Sequence, residues 1–344
     1  MPKAKNKKSS ALKSKQKIAL KSKLTEPKEV TPKVKNYSIF EKALGFAELG
    51  RPIEWSKSLL NMGLGALMAF YIYGAGVNLL TFVEGFFAVA FLWSGLYALN
   101  DRTDWRIDLL HEIKKNRPIP SGKVSPNQGL IFSLSLILIS YLIAFSMNNI
   151  LLIGCLTIMV INQLLYTMKP FRFKSRKVLD VISGSMVNPI FRFTSGLVLF
   201  IGTAQLFNNF LPILPYIFVI GVQFGGYTLY RLFSKKHDKK LNMKSSVAMI
   251  SEERIKRIAY FSLGSAVLAY IGLLINGLFF KIVWLGFLPP QYIWPALLTA
   301  LLTPTLKGAI LDPLNADMSK YYRRAYIFAI VFIITNLIVI AFFP

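Results

Sequence analysis

The stretch of residues 98–122, which reads ALNDRTDWRIDLLHEIKKNRPIPSG, decides how the chain is organised. It begins at the end of an apolar run and then places Asp101, Asp104 and Asp108 on one side of a helix, within about 60° of one another, with Asn100 beside them. Carboxylates crowded on one face repel one another unless a cation binds between them. Mg²⁺ suits such a place, because it takes one or two carboxylates and fills its other positions with water and phosphate oxygens. The spacing therefore predicts a Mg²⁺ site formed by the three aspartates.

Basic residues and prolines follow the acidic residues directly. Lys114 and Arg117 supply positive charge, while Pro118 and Pro120 end the helix and turn the chain. Lysine and arginine bind phosphate oxygens through charge-assisted hydrogen bonds. Together with the metal site, this segment is typical of a diphosphate-binding site at a membrane surface. On the residues alone, a solvated loop without a ligand stays open as the alternative.

The composition is that of a membrane protein. The chain has 344 residues, of which 54% are hydrophobic, more than in ordinary soluble domains. The apolar residues gather into nine blocks of about 17–25 residues, the length that spans a bilayer. The first block ends near Gly74, and the others cover residues 77–99, 129–148, 150–167, 178–202, 211–232, 258–279, 282–302 and 323–343. The sequence therefore predicts an all-α polytopic membrane protein with a bundle of about nine transmembrane helices. The single cysteine, Cys155, excludes a disulfide framework within the chain.

The loops between these blocks alternate in charge. Residues 101–128 carry six lysines and arginines, residues 169–177 five, residues 231–257 nine and residues 303–324 four. The intervening loops carry only Lys281. By the positive-inside rule, the N-terminus and the four basic loops, with the acidic cluster among them, are expected on the cytoplasmic side.

The first part of the chain differs in composition from the rest. Residues 1–36 hold twelve lysines and two glutamates, and they cannot bury enough apolar surface to fold. We expect a disordered, polybasic cytoplasmic tail there, and a transmembrane domain over residues 37–344. The tail is either a tether to anionic lipid headgroups or a solubilising extension. Nucleic-acid binding is not expected, because no aromatic residues lie between the lysines.

Several motifs resemble the UbiA superfamily of intramembrane prenyltransferases. The NDxxDxxxD signature of that superfamily matches NDRTDWRID, and its RP-x-x-SG segment matches NRPIPSG. The segment GRPIEWSKSLL is similar to an RP-x-x-W-x-K segment that is characteristic of the lipid-phosphate phosphoribosyltransferases of the superfamily. Lys57 in this segment is either a substrate-binding residue or an anchor at the membrane surface. The resemblance covers roughly residues 45–344 and implies nine helices with functional loops after the second and the sixth.

A second loop, residues 225–246, reads GGYTLYRLFSKKHDKKLNMKSS. Prenyl-transferring members of the superfamily carry a motif D-x-x-D-D-x-K-x-G-x-K-S here, and this chain is similar to it only in the second half. Ser234 and His237 stand where the superfamily has aspartates. One carboxylate among lysines suits direct binding of phosphate better than a second Mg²⁺ site. The substrate-binding candidates of this loop are Tyr227, Tyr230, Arg231, Lys235, His237, Asp238, Lys240 and Lys244.

Polar residues also occur at membrane depth. The segment VLDVISGSMVNPIFRFTSG is similar to the fifth helix of the phosphoribosyltransferases, and its Asn188 and Arg192 share one helical face. Such residues usually face the interior of a bundle. Arg192 is therefore a candidate for binding substrate, with an ion pair to Asp180 as the structural alternative. Lys169 and Arg172, in the preceding loop, are candidates for binding diphosphate.

The resemblance implies a Mg²⁺-dependent transferase that releases pyrophosphate. The first interpretation is transfer of a polyprenyl group from polyprenyl diphosphate to an aromatic or lipid-precursor acceptor. The second is transfer of ribose 5-phosphate from phosphoribosyl diphosphate to a polyprenyl phosphate, which the RP-x-x-W-x-K segment and the acid-poor second loop favour. The third is a lipid-binding or transport protein without catalysis. For an enzyme, the resemblance implies that the catalytic residues are Asp101, Asp104, Asp108, Asn100 and Arg117.

Overall fold

The structure is a computed structural model, and it describes residues 36–111, 113–208, 211–240 and 244–342. The predicted tail lies, up to residue 35, outside the described residues. The described residues form helices and loops, with one isolated bridge between Arg176 and Lys244 and no strand. The all-α prediction is therefore confirmed for this part of the chain.

Fifteen α-helices are described, and we number them in chain order. They are α1 (Ile39–Gly50), α2 (Trp55–Tyr73), α3 (Leu79–Asp108), α4 (Pro126–Ser146), α5 (Ile150–Thr167), α6 (Leu179–Ser185), α7 (Val187–Val198), α8 (Thr203–Asn208), α9 (Ile213–Phe233), α10 (Lys235–Lys240), α11 (Ser246–Met249), α12 (Glu252–Ile275), α13 (Ile293–Ala300), α14 (Lys307–Leu311) and α15 (Met318–Phe342). A π-helical turn, Asn276–Phe280, extends α12.

Six of the described helices are long and apolar enough to cross a membrane: α3, α4, α5, α9, α12 with its π-helical turn, and α15. A seventh candidate is the pair Pro290–Ala300 and Thr303–Leu311, which is bent by 44°. Large apolar side chains on the outer faces of these helices are exposed, as suits contact with lipid. Length and composition thus give six or seven spans in the described part of the chain, and the predicted number of nine is not confirmed.

Three predicted spans differ from the long, apolar, regular helices that the sequence suggested. The predicted span of residues 282–302 is helical only from Pro290 to Ala300, as a 3₁₀-helical turn followed by α13. Helix α2 has 19 residues, but it is not among the described helices that are apolar enough to cross a membrane, and Lys57 and Asn61 lie near its start. The predicted span of residues 178–202 is divided at Met186 into α6 and α7. Pro189 lacks the N–H that would continue the helix across this point, which explains the break.

The centre of the bundle is a close crossing of α2 and α7. A Cβ atom built on Gly65 would lie 2.2 Å from the carbonyl oxygen of Phe193, and one built on Gly196 would lie 2.0 Å from that of Met62. The two backbones therefore touch, which only glycine permits at these positions. The crossing fixes α7, and with it Arg192, against the first half of the bundle.

Charged residues collect at one end of the bundle. Helix α3 is 30 residues long, and its last two turns carry the acidic cluster. The end of α1, the loop between α5 and α6 and the segment after α3 each send basic side chains to these carboxylates. The fold therefore gathers the acidic cluster and three basic segments at the end that the sequence assigns to the cytoplasm.

Candidate functional site

Asp101 lies between two arginines. Its carboxylate is only 1% exposed and accepts hydrogen bonds of 2.6 and 2.8 Å from Nη2 of Arg51. Arg51 follows α1 in a left-handed backbone conformation, with φ of 49°, where the chain turns towards α2. On its other side, Oδ1 of Asp101 accepts a hydrogen bond of 3.0 Å from Nη1 of Arg117. The negative charge of Asp101 is therefore balanced from both sides.

Arg117 also joins Asp101 to Asp108. The same Nη1 atom donates to Oδ2 of Asp108 at 2.8 Å, and Nζ of Lys114 lies 3.9 Å from Oδ1. Burial lowers the pKa of Lys114, and the positive charges of Arg117 and Arg231 lower it further. Two carboxylates of α3 thus converge on one guanidinium nitrogen, with more basic groups close by.

Asp104 has different partners. Nζ of Lys174 donates to both of its carboxylate oxygens at 2.7 Å, and Nη2 of Arg172 donates to Oδ1 at 3.3 Å. The ammonium of Lys174 also reaches Asn100 and Thr167. Burial lowers the pKa of Lys174, although the charge of Asp104 acts in the opposite direction. Asp104 is therefore held on the side of α3 that faces the loop between α5 and α6.

These contacts bear on the predicted metal site. Over the described ranges, no three His, Cys, Asp or Glu side chains form a group that could hold a metal ion. The three aspartates are not gathered into one set of ligands, because Arg117 joins Asp101 to Asp108 whereas Asp104 pairs with Lys174 and Arg172. The donor chemistry fits Mg²⁺ at Asp101 and Asp108, since hard carboxylate oxygens that already surround one cationic group are the ligands that this ion prefers. Metal binding by these aspartates stays a prediction.

Lys57 belongs to a second polar cluster, at the start of α2. Its Nζ lies 2.7 Å from Oε2 of Glu54 and 5.4 Å from the ring centre of Tyr326. Glu54 also accepts hydrogen bonds from the hydroxyl groups of Tyr97 and Tyr322. Burial alone would raise the pKa of Glu54, but Lys57 and the tyrosine hydroxyl groups outweigh it and lower this pKa. Helices α2, α3 and α15 therefore meet around an ion pair in which Glu54 is buried and Lys57 is partly exposed.

Arg192 reaches this region from α7. It is 2% exposed, its guanidinium lies 4.1 Å from the ring centre of Trp93, and its Nη2 donates a long hydrogen bond of 3.5 Å to the hydroxyl of Tyr97. Its Nε has no hydrogen-bond partner among the described atoms. The structural alternative, an ion pair with Asp180, is wrong, because Asp180 pairs with Arg231 instead.

Arg231 and Asp238 of the second loop belong to a buried network of ion pairs and hydrogen bonds. Nη2 of Arg231 lies 2.9 Å from Asp238 and 3.4 Å from Asp180. The hydroxyl of Ser245 donates to Asp238 at 2.6 Å, and the hydroxyl of Ser246 donates to Asp180 at 2.5 Å. These bonds tie the end of α9 and the segment after it to the start of α6. The one carboxylate left from the second motif is therefore engaged with an arginine of its own loop.

Three other candidates for binding substrate contact side chains of neighbouring helices: Asn188, Tyr227 and Tyr230. Asn188 accepts a hydrogen bond of 2.9 Å from Asn162 of α5. The hydroxyl groups of Tyr227 and Tyr166 lie 2.9 Å apart, and the ring of Tyr230 faces α15. These contacts join α5 to α7 and to α9, and α9 to α15. Substrate binding by these residues stays a prediction.

The lysines predicted to bind phosphate do not form one cluster among the described side chains. Nζ of Lys235 donates to the carbonyl oxygen of Ile250 at 3.0 Å, so this ammonium supports the loop itself. Lys169 and Lys244 are exposed. The side chains of two further candidates lie outside the described part of the structure: His237 and Lys240.

Three residues at these clusters were not among the candidates predicted from the sequence: Arg51, Glu54 and Lys174. Arg51 and Glu54 stand in the same RP-x-x-W-x-K segment that led to Lys57, so the motif itself was the available signal. Lys174 is one of five basic residues in its loop, and nothing in the sequence distinguishes it from the others.

The fold and the site define a class of protein: a helical membrane bundle with a buried, charged site at one end. The UbiA prenyltransferase family profile matches residues 62–311, more than half of the chain. The chain therefore belongs to the UbiA prenyltransferase family. Family membership and the candidate spans make it an integral, multi-pass membrane protein.

Individual relatives agree with this assignment. Digeranylgeranylglyceryl phosphate synthase of Methanosarcina mazei is 34% identical over 158 residues, or 43% of this chain and 53% of that protein. The chain thus spans about half the length of this relative. 4-Hydroxybenzoate octaprenyltransferase of Tolumonas auensis is 24% identical over 258 residues, or 72% of this chain and 82% of that protein.

A solved structure shows the same fold. The UbiA homolog from Archaeoglobus fulgidus bound to GPP and Mg²⁺ aligns over 86% of this chain and 99% of that chain, with a TM-score of 0.64 and 20% identity. At this identity the likeness establishes the fold.

Proposed function

We propose that the protein is a Mg²⁺-dependent prenyltransferase that moves a polyprenyl group from its diphosphate to an aromatic or lipid-precursor acceptor. The observation that carries the proposal is the convergence of Asp101 and Asp108 on Nη1 of Arg117. This arrangement offers two carboxylates for a divalent ion beside several basic groups for phosphate. Relatives named for digeranylgeranylglyceryl phosphate synthesis and octaprenyl transfer, and a homolog bound to GPP and Mg²⁺, support this class of reaction.

The residues of the site bind and orient the diphosphate. Asp101 and Asp108 would hold the ion, and Mg²⁺, when bound, neutralises charge on the leaving diphosphate. Arg117 then turns from the carboxylates to the phosphate oxygens, because its guanidinium can bond two of them at once. Lys114 and Arg172 place further positive charge where pyrophosphate leaves. These basic groups stabilise the charge that develops on the leaving group.

The cluster at the start of α2 supports a separate place for the acceptor. Lys57 is the most exposed charged group of this cluster, and the rings of Tyr322 and Tyr326 surround it. An acceptor with a phosphate, a carboxylate or a phenol group can bond to the ammonium of Lys57. The aromatic side chains exclude water, which would otherwise capture the electrophilic carbon after pyrophosphate leaves.

The membrane arrangement is part of the proposal. If the bent pair counts as a seventh span, helix α2 and the broken pair α6 and α7 bring the number of spans to the nine that the sequence predicts. The alternation of basic loops supports a cytoplasmic location for the N-terminus and for the charged end of the bundle. Anionic lipid headgroups are the partners that we propose for the lysines of the first 36 residues.

Phosphoribosyl transfer to a polyprenyl phosphate is the second candidate. The observation that favours it is the engagement of Asp238 with Arg231, which leaves the second loop without a free carboxylate for another metal ion. A site that is rich in basic groups and poor in carboxylates also suits a donor that carries more phosphate groups than a prenyl diphosphate.

The two candidates are separated by supplying one donor at a time. The purified protein in detergent receives Mg²⁺ and either labelled polyprenyl diphosphate with candidate acceptors, or phosphoribosyl diphosphate with polyprenyl phosphate. The proposal expects pyrophosphate and a prenylated product only from the first mixture. Label transferred only in the second mixture would replace the proposal by phosphoribosyl transfer. Failure of both mixtures would overturn the assignment as a transferase.

A further inference from the structure

A groove opens on the outer surface of the bundle between α3 and α4, and we call it the α3–α4 groove. Its volume is about 400 Å³, and the residues that line it are Glu84, Phe87, Phe91, Ile143 and Ser146. Glu84 precedes Asp101 by 17 residues on α3, which corresponds to about 25 Å along the helix axis. The groove therefore lies at the other end of the bundle from the charged site.

The packing of α3 against α4 places the polar residues of the groove at one level. The hydroxyl of Ser140 donates to the carbonyl oxygen of Ala88 at 2.6 Å, and the hydroxyl of Ser133 donates to that of Gly95 at 2.7 Å. The two helices therefore run antiparallel, and the last residue of α4, Ser146, lies near the start of α3. Glu84 and Ser146 form the polar end of the groove.

Glu84 is a carboxylate in an apolar environment. It is the single charged residue of the apolar block 77–99, and its side chain is exposed on the outer surface of the bundle. Among the described residues, this carboxylate has neither an ion pair nor a hydrogen bond, whereas Asp180, which also lies in an apolar block, pairs with Arg231. Acidic side chains within membrane spans are costly and usually mark a site with a partner. A ligand with a positive charge would supply that partner.

The polar end of the groove offers hydrogen-bond acceptors. The hydroxyl of Ser146 donates its proton to the carbonyl oxygen of Ile143 at 2.8 Å, so its oxygen is left to accept. The carboxylate of Glu84 also accepts. A primary ammonium carries three N–H donors and can bond to both groups, whereas a quaternary ammonium has no N–H to donate.

The rest of the groove is apolar and aromatic. Phe87 and Phe91 follow Glu84 at spacings of three and seven residues, so the three share one face of α3. The two phenylalanine rings are stacked with their centres 5.6 Å apart, and the ring of Trp55 meets them edge-on at 6.1 and 5.9 Å. An acyl chain that follows this face covers the rings, while the headgroup stays at Glu84.

We propose that the α3–α4 groove binds a membrane lipid whose headgroup carries a primary ammonium. The ammonium bonds to Glu84 and Ser146, and an acyl chain lies along Phe87 and Phe91. The charge of Glu84 selects a cationic group, the acceptors select a primary amine, and the opening on the outer surface of a membrane bundle selects a lipid. The inference goes beyond the proposed function and does not rest on it.

The test is native mass spectrometry of the full-length protein in detergent, with three lipids that have identical acyl chains. Phosphatidylethanolamine has a primary ammonium, phosphatidylcholine has a quaternary one, and phosphatidylglycerol has none. The wild type should bind phosphatidylethanolamine about fivefold or more tightly than the other two, because its bond to the carboxylate is charge-assisted. Glu84→Gln should abolish this preference, whereas Glu253→Gln, which changes an exposed glutamate of α12, should keep it.

A second pair of variants tests the apolar part of the groove. Phe87→Ala should weaken binding of all three lipids and leave the preference for the primary ammonium in place. Val83→Ala, which shortens an exposed residue of α3 that does not line the groove, should change neither. Equal weakening by both variants would overturn the assigned path of the acyl chain.

Cross-linking of the wild type keeps the inference open to contradiction if Glu84→Gln does not fold. A phosphatidylethanolamine with a diazirine in its acyl chain should form adducts within residues 84–91 or 143–146, and adducts only at other positions would overturn the inference. Equal affinity of the wild type for phosphatidylethanolamine and phosphatidylcholine would overturn it as well. A dimer in the same spectra that dissociates in Phe87→Ala would assign the groove to a second copy of the chain instead.

Discussion

Asp101 is the residue on which the proposed metal binding and prenyl transfer depend most. It is buried, it is held by two arginines, and it shares Arg117 with Asp108. The variant Asp101→Asn should lower the rate of product formation by about 10²–10³-fold, because it weakens metal binding and stabilisation of the leaving group together. Initial rates across a Mg²⁺ titration measure this. The control is Glu48→Gln, which removes an exposed ion pair with Lys123, and a near-normal rate of the Asp101 variant at limiting Mg²⁺ would contradict the assignment.

Arg192 is a buried cation whose described contacts include a tryptophan ring and a tyrosine hydroxyl but no ion pair. Burying a charge without an opposite charge is unfavourable, and an apolar residue of similar length removes that penalty. The variant Arg192→Met should therefore be more stable, by about 1–3 kcal/mol, while it loses activity. Thermal unfolding in detergent and the rate assay measure the two effects. If the variant were less stable and fully active, the role of Arg192 would be limited to packing.

At the scale of elements, the crossing of α2 and α7 can be tested with two glycines of one helix. A Cβ atom on Gly65 meets the backbone of α7 at 2.2 Å, whereas one on Gly63 meets nothing within 4 Å. The variant Gly65→Ala should lower the free energy of unfolding by about 2 kcal/mol or more, because rigid backbone has to move. Gly63→Ala should leave it unchanged or raise it, since alanine favours the helix. Equal melting temperatures of the two variants would contradict the close crossing.

The same elements show how far the sequence could lead. Helical periodicity was enough to place the acidic residues on one side of α3, and the apolar blocks located the six clear spans, because both depend on residues close together in the chain. The partners of the aspartates could not be predicted. Lys174 and Asp104 are 70 residues apart, and Arg51 and Asp101 are 50 apart, so packing of whole helices decides which basic residue meets which carboxylate. The helix breaks at Met186 because of Pro189. The apolar composition of the block predicted one continuous span there.

The whole molecule offers a direct test of its orientation, because Cys155 is the single cysteine and is buried. In a Cys155→Ser background, a cysteine introduced for Val77 lies in the loop before α3, and one introduced for Lys177 lies in the loop before α6. Both positions are exposed. A maleimide that cannot cross membranes should label the first variant in intact cells and the second only after permeabilisation. The opposite pattern would reverse the proposed orientation.

The excess of positive charge at the site has a consequence for the order of kinetic events. Five basic side chains contact the three carboxylates: Arg51, Lys114, Arg117, Arg172 and Lys174. Such a site attracts a diphosphate, but it retains the liberated pyrophosphate by the same forces. We expect escape of this product to limit turnover, so that rapid mixing reveals a pre-steady-state burst of about one product molecule per site. The slow phase that follows should accelerate as salt screens the exposed part of this attraction. A linear time course from the first turnover would show instead that bond cleavage is the slow step.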